Sequence, residues 1–197
     1  GEVRYVGEPI VLIVARSRLA ALDGAEAIAV TFDERTPVLD VPVGSNADAE
    51  SHASDRHAPL FSTTAGDKQA VESAFARAHG SVEITTHVPR LVPAPLEPRA
   101  YTALFDPATE RWTLYATAGK PHPRRDTIAK HVLHVEPNRI AVIAPDIGGG
   151  FGGKNVAHAE AALVLWAARK LGSAVCWVCD RIESFMSDMQ GRDHTIT

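Results

Sequence analysis

Two cysteines in 197 residues are too few for a disulfide framework, so a reducing, cytoplasmic setting is the default expectation. No apolar run approaches the ~20 residues that a bilayer-spanning helix needs. Nothing reads as a signal peptide with a basic start, an apolar middle and a small-residue cleavage site. An excess of one charge is missing too. Lys and Arg number 20 against 24 Asp and Glu, a net −4, which gives no reason to expect nucleic acid or an anionic membrane surface as partner. There is neither an internal repeat nor a low-complexity tract. What is present is an ordinary globular composition, 45% apolar and 22% charged, in a chain long enough to bury a core. The first residue is Gly1, with no Met, and the last three are the β-branched Thr195-Ile196-Thr197. Both ends read as cuts in a longer polypeptide.

Residues 9–15, Pro-Ile-Val-Leu-Ile-Val-Ala, are an unbroken apolar run with the pattern of a buried strand. Ser17 is placed to cap a helix over 18–27, and the alternation of 28–32 predicts a second strand. That β-α-β unit ends at 37–42, and residues 44–60, rich in Ser, Asn, Asp, His and Ala, predict an exposed linker. A helix over 67–78 leads into a strand over 82–88. Pro89, Pro93, Pro95 and Pro98 then forbid regular helix. Strands over 100–105 and 112–116 flank a turn begun by Asp106-Pro107. Pro121 or Pro123 opens a helix to His134. A strand over 139–144, a glycine-rich run, a helix over 156–171 capped by Gly172, a strand over 174–178 and a short helix from Arg181 complete the pattern. The class is mixed α and β.

The most informative stretch is 148–153, five glycines in six positions around Phe151, followed by Lys154. Glycine loses more backbone freedom on folding than any other residue. A domain tolerates that cost mainly where backbone must pass close to a bound cofactor or phosphate. Gly148-x-Gly150-x-x-Gly153, between a strand and a helix, fits the dinucleotide fingerprint, with Asp180 as a candidate ribose ligand. Against it, Pro145-Asp146-Ile147 inserts residues for which a tight strand-to-helix turn has no room. Gly148-x-x-x-x-Gly153-Lys154 fits a phosphate-cradling loop up to its last position, where Asn155 replaces the hydroxyl that would bind Mg²⁺. A self-contained nucleotide-binding module is therefore one open reading.

A second reading rests on resemblance. Ala144-Pro145-Asp146-Ile147-Gly148-Gly149-Gly150-Phe151-Gly152-Gly153-Lys154 resembles the signature of the molybdenum hydroxylases. These are the large subunits of the xanthine dehydrogenase, aldehyde oxidase and aerobic carbon monoxide dehydrogenase family. Arg4-Tyr5-Val6-Gly7-Glu8-Pro9 resembles the start of that family's small α/β hammerhead domain. Pro95-Leu96-Glu97-Pro98-Arg99-Ala100, the helix from Ala161 to Leu171, Asp180-Arg181-x-Glu183 and Gln190-Gly191-Arg192-Asp193-His194 are similar to further family segments, in the family's order. The resemblance implies an α+β fold. A hammerhead-like α/β domain would occupy 1–43, N-terminally incomplete, and a linker 44–57. The first part of the molybdenum-cofactor-binding domain would occupy 58–197, C-terminally incomplete.

The resemblance also implies a molybdenum–pterin cofactor, molybdopterin or its cytosine dinucleotide, with iron–sulfur clusters and FAD on partner domains or subunits. The implied activity is hydroxylation of an aldehyde, carbon monoxide or N-heterocycle-type substrate with water-derived oxygen. Gly149, Gly150, Gly152 and Gly153 would bring main-chain amides against the cofactor, which suits residues without side chains. Phe151 would wall the substrate pocket beside Asn155; its alternative is a core anchor. Gln190 and Arg192 would support the cofactor, Arg192 through phosphate or pterin oxygens, unless Arg192 pairs with Asp193.

Two positions depart from the family pattern. Gly119, in Tyr115-Ala116-Thr117-Ala118-Gly119, takes the cofactor-contacting place where most members carry glutamine. Asn155 stands where purine-oxidising members carry glutamate, which points away from xanthine. The general-base glutamate of the family belongs to a far C-terminal segment outside this chain, so no catalytic residue is assigned and the fragment alone is expected to be inactive. The remainder of its own large subunit and the iron–sulfur and FAD subunits would be its partners. A degenerate structural subunit that has lost the cofactor is a further alternative. Cys176 and Cys179 read as ordinary cysteines, since a single close pair is a weak metal signal and positions three apart in a strand face opposite ways. His131 and His134 share a helix face with no third ligand. With His52 and His57 they read as solvated or capping residues.

Overall fold

The computed structural model describes residues 1–35 and 65–197. The linker expected over 44–60, the end of the first unit at 37–42, His52 and His57 lie outside the described residues. Residues 1–27 and 85–197 make one compact unit and residues 28–84 a second.

In the first unit, helix α1 (Arg18–Glu26) begins where Ser17 Oγ accepts the Ala20 N–H at 3.2 Å, as its sequence predicts. The apolar run over 9–15 is not a strand. A strand is made by its ladder to a neighbour, and no described residue pairs with this run. The second unit contains helix α2 (Lys68–Arg77), capped by Asp67, whose Oδ1 accepts the Ala70 N–H at 3.0 Å. The run over 28–32 is likewise unpaired among the described residues.

The first unit continues through β1 (Thr86–Val88), β2 (Ala100–Asp106), β3 (Arg111–Ala116), α3 (Pro121–Ile128), β4 (Ile140–Ile143), α4 (Ala159–Leu171), β5 (Val175–Val178), α5 (Arg181–Ser187) and β6 (His194–Ile196). Four strands form a mixed sheet in the order β4-β3-β2-β5, with β3 and β4 parallel and the other pairs antiparallel. The alternation that marked β2 and β3 in the sequence decides which face is covered. Tyr101, Ala103, Trp112, Leu114 and Ala116 are buried together with Ala161, Val164, Leu165 and Ala168 of α4. The Trp112 Nε1–H donates to the Leu165 carbonyl at 3.1 Å, so the ring's polar edge is satisfied inside the core. On the other face Leu104, Tyr115, Ile143 and Val178 are exposed.

Three details differ from the sequence expectation. β1 is the last part of the strand expected over 82–88, and it pairs with β6 in a separate two-stranded sheet. The helix expected to run to His134 ends as α-helix at Ile128 and closes with a π turn, Ala129–Leu133. There the Val135 N–H reaches back to the Ala129 carbonyl at 2.9 Å, and His134 takes a left-handed conformation. α4 starts at Ala159, because Gly153–Asn155 form a 3-10 turn and Val156 is extended. Its end at Gly172, left-handed with φ 61°, is as expected.

A buried Arg99 joins the layers. It donates to Glu160 Oε1 at 2.9 Å on α4 and to Ser187 Oγ at 2.8 Å on α5, and it pairs with Asp188. No helix among the described residues is long and apolar enough to cross a membrane.

Candidate functional site

The glycine-rich loop leaves the end of β4 and is pinned at both ends by one carboxylate. Glu97 Oε2 accepts the Gly148 N–H at 2.8 Å and the Lys154 ammonium at 2.9 Å. The Glu97 N–H in turn donates to the Gly148 carbonyl at 3.3 Å. Lys154 is 2% exposed, so its charge has little other solvation. Burial pushes the Glu97 carboxyl up, but the Lys154 ammonium and the Gly148 amide together outweigh it and hold the group below the ordinary carboxylate range. The clamp therefore contributes fully above the unfolded carboxylate value, 4.5, and is lost as pH falls through the lower folded value.

Glu97→Gln should cost about 1–3 kcal/mol at neutral pH, less than a wholly enclosed pair because Glu97 keeps part of its surface in water. Denaturant melts of variant and wild type should converge as the pH drops below 4.5. Equal stability at pH 7 would mean that Lys154 does not depend on this partner.

The proline-spaced segment before β2 is the wall against which the loop lies. A Cβ on Gly148 would sit 2.7 Å from Glu97 Cβ, one on Gly153 3.1 Å from Pro93 Cγ, and one on Gly149 3.3 Å from Pro95 Cβ. Arg181 holds this wall from behind, donating to the Pro95 and Leu96 carbonyls at 2.9 and 2.6 Å. Gly149 and Gly152 have φ of +96° and +91°, and Phe151, with φ 45°, shares the left-handed region. Those values explain glycine at 149 and 152.

Gly150 has neither reason. Its φ is not positive, and a Cβ there would meet nothing nearer than Lys154 Cβ at 3.8 Å. The Gly153 N–H donates back to the Gly150 carbonyl at 2.9 Å and that of Asn155 to the Gly152 carbonyl at 3.1 Å. The four amides between, on Gly149, Gly150, Phe151 and Gly152, donate to no acceptor among the described residues. Phe151 is 79% exposed, outside the core of the described residues, so it is not a core anchor.

Two side chains close the loop's exit. Arg124, in the first turns of α3 and 1% exposed, donates to the Lys154 carbonyl at 2.6 Å, the Val156 carbonyl at 2.8 Å and Tyr101 Oη at 3.1 Å. It has no carboxylate within ion-pair distance among the described residues, so its charge is met there by carbonyl and phenol oxygens at the loop's exit. The His158 Nε2–H donates to the Gly153 carbonyl at 2.9 Å, and burial pushes this imidazole down, keeping it neutral at pH 7. The sequence reading assigned no role to Glu97, Arg124 or His158. A glutamate among prolines and an arginine in a proline-opened helix were the visible signals.

The remaining predicted residues fall into two groups. Gly119 and Asn155 meet at the loop: the Gly119 N–H donates to the Lys154 carbonyl at 3.2 Å, and the Asn155 side chain lies over the Gly119 Cα. Gln190 and Arg192 are exposed beside β6, where Leu91 and Gly191 exchange backbone hydrogen bonds, and no bond joins them to the loop. Arg192 does not pair with Asp193. Asp193 faces Arg90 at 3.4 Å and His87 at 3.8 Å, while Arg192 itself has a positive φ of 77°.

Asp180 caps α5 by accepting the Glu183 N–H at 2.7 Å, so its carboxylate is committed. Lys154 is committed too, and no α-helix starts at the loop, where Gly153–Asn155 form only a 3-10 turn and α4 begins at Ala159. Both features of the nucleotide reading are thus in use elsewhere. Cys179, just past the end of β5, is buried, which pushes its thiol up to about 12, while Cys176 within β5 is exposed, and both are free thiols. His134 Nδ1 lies 3.1 Å from the Lys130 carbonyl and closes the π turn.

Uncommitted backbone amides on a pinned glycine loop have the chemistry to donate to an oxygen-rich, anionic ligand. A family model described as the molybdopterin cofactor-binding domain matches residues 51–197, and the chain belongs to that family. It is 31% identical over 207 residues to the carbon monoxide dehydrogenase large chain of Hydrogenophaga pseudoflava, covering 98% of this chain and 26% of that one. It is 32% identical over 202 residues to the nicotine 6-hydroxylase large subunit of Paenarthrobacter nicotinovorans, covering 99% and 24%. The solved Cu,Mo-carbon monoxide dehydrogenase in its carbon monoxide reduced state superposes with a TM-score of 0.72 at 30% identity, over 91% of this chain and 24% of that chain. The chain thus spans about a quarter of the length of these relatives.

Proposed function

We propose that this chain is part of the molybdopterin-binding large subunit of an oxidoreductase and supplies one wall of its cofactor site. The observation that carries the reading is the row of four uncommitted amides over Gly149–Gly152, with a glycine at 150 that no internal contact requires. A molybdenum–pterin group, rich in anionic oxygens, fits that row, and Arg124 at the loop's exit, without a carboxylate among the described residues, adds positive potential. Gly149, Gly150, Phe151 and Gly152 would donate to it, Gly153 closes the loop behind them, and Gly119 borders the same opening. Gln190 and Arg192 would extend the site from the β6 side. When bound, the group supplies the transfer of water-derived oxygen to a substrate carbon. The residues of this chain hold and orient it, with the Phe151 ring and Asn155 facing the substrate.

On this reading residues 1–43 belong to a hammerhead-like domain, 44–57 to a linker and 58–197 to the first part of the cofactor domain. Partners are the remainder of the large subunit and iron–sulfur and FAD subunits in a cytoplasmic enzyme. Asn155 favours an aldehyde, carbon monoxide or another small or aromatic substrate over a purine, in keeping with relatives named for carbon monoxide and nicotine. Metal analysis of the complete natural polypeptide should give one molybdenum per chain. Absence of molybdenum, with a melting-temperature rise on adding ATP or NAD, would support the nucleotide-binding module instead.

A further inference from the structure

The stretch that backs the glycine loop has almost no hydrogen bonds of its own. Leu91 exchanges two with Gly191, and the Glu97 N–H donates to the Gly148 carbonyl. Between them Pro93 and Pro95 carry no N–H, and residues 92–96 make no backbone hydrogen bond among the described residues. Ala94 also takes a left-handed φ of 45°, uncommon for a residue other than glycine. A segment with so few bonds does not fix its own shape. Two hydrogen bonds do so for it, and both come from Arg181, to the Pro95 carbonyl at 2.9 Å and the Leu96 carbonyl at 2.6 Å. Arg181 has a firm base, because it is the first residue of α5 and its guanidinium lies 5.7 Å from the centre of the Phe185 ring one turn on. At the far end of α5, Ser187 and Asp188 are tied to the buried Arg99. On the loop side, Pro95 is buried, and its Cβ and Cα stand 3.3 and 3.9 Å from a Cβ built on Gly149. One residue, Pro95, thus takes the hold of Arg181 on its carbonyl and touches the loop with its ring.

We propose that Arg181 is a positioning residue of the ligand site, which fixes the Pro95 and Leu96 carbonyls and thereby sets where the Gly149 amide and the row after it stand. It acts through Pro95 and touches no ligand itself. The proposal rests on the cofactor reading above for what the amides meet, but not for the hold on the wall. The residue type matters. The two terminal nitrogens of one planar guanidinium take one carbonyl each, a fork that a lysine ammonium does not reproduce.

The test compares Arg181→Met and Arg181→Lys with wild type in the complete polypeptide. Hydrogen exchange of the cofactor-free protein reads the loop through the bonded amides of Gly148, Gly153 and Asn155, against the amides of β2 and β3. Arg181→Met should lower protection of the three loop amides by about fivefold or more and leave β2 and β3 as in wild type. Arg181→Lys keeps the charge and supplies a donor to one carbonyl at a time, so its loss should be smaller. In the molybdenum-loaded protein, the EPR spectrum after dithionite reduction should shift in Arg181→Met and return part of the way in Arg181→Lys. A variant that takes up no molybdenum while β2 and β3 keep their protection has the same meaning as a shifted spectrum. Wild-type protection of the loop, or an unchanged spectrum, in Arg181→Met would overturn the proposal. So would an equal loss across loop and sheet, which marks a residue needed for folding alone. If Arg181→Met does not fold, Arg181→Lys carries the same comparison. Wild-type protein devoid of molybdenum would remove the cofactor reading instead, and the exchange data would then decide the hold on their own.

Discussion

Replacing Arg124 by methionine is expected to destabilise the fold by about 1–3 kcal/mol. The guanidinium is 1% exposed and donates to two carbonyls and a phenol. Methionine fills much of the volume and supplies no donor, so the Val156 carbonyl loses its side-chain partner, while the Lys154 carbonyl keeps the Gly119 N–H. An orphaned buried acceptor costs about 1–3 kcal/mol. Part of this is offset, because Arg124 is a buried charge without a carboxylate and its Nε has no partner among the described residues. Tyr101→Phe, which removes one acceptor and keeps the ring 5.5 Å from the guanidinium, should cost only about 1 kcal/mol. Urea denaturation measures both. A loss below about 1 kcal/mol for Arg124→Met would mean that the loop's exit is held by something else.

That arginine also shows what the sequence could and could not reveal. The sheet and its covering helix were legible because their signals are local. β2 and β3 alternate along a few residues, α4 repeats its apolar face every turn, and Ser17, Asp67 and Gly172 act within a residue or three of the ends they cap. The loop was legible because five glycines in six positions need a reason. The runs over 9–15 and 28–32 find no strand partner among the described residues, because an apolar or alternating run records burial preference and not the presence of a neighbouring strand.

The supports of the site were hidden for another reason. Glu97 and Lys154 are 57 residues apart, and Arg124 reaches a carbonyl 30 residues ahead. Nothing in either neighbourhood reports such a partner. The prolines at 93 and 95 were read as helix breakers, and their second use is as a flat wall under glycines 149 and 153. Phe151 was open between wall and anchor, since an aromatic beside glycine fits both. Its left-handed backbone and exposed ring decide against the anchor.

The glycines also differ among themselves, and that difference isolates ligand binding from folding. Alanine at 148 would strike Glu97, and alanine at 149 or 152 would be strained by a positive φ. Changes at these positions damage the loop itself. Gly150→Ala does not, because its φ is not positive and the added methyl has room. A glycine-to-alanine change at a compatible position stabilises by about 0.4–1 kcal/mol through the unfolded chain. The methyl would nevertheless stand beside the uncommitted amides, where a cofactor has to come close.

Molybdenum content of Gly150→Ala in the complete polypeptide, measured beside the melting temperature of its cofactor-free form, tests the central claim most directly. The account predicts a melting temperature equal to or slightly above wild type, together with a loss of more than about tenfold in bound molybdenum, equivalent to ~1.4 kcal/mol or more of binding. Full molybdenum content in a stable Gly150→Ala protein would contradict it.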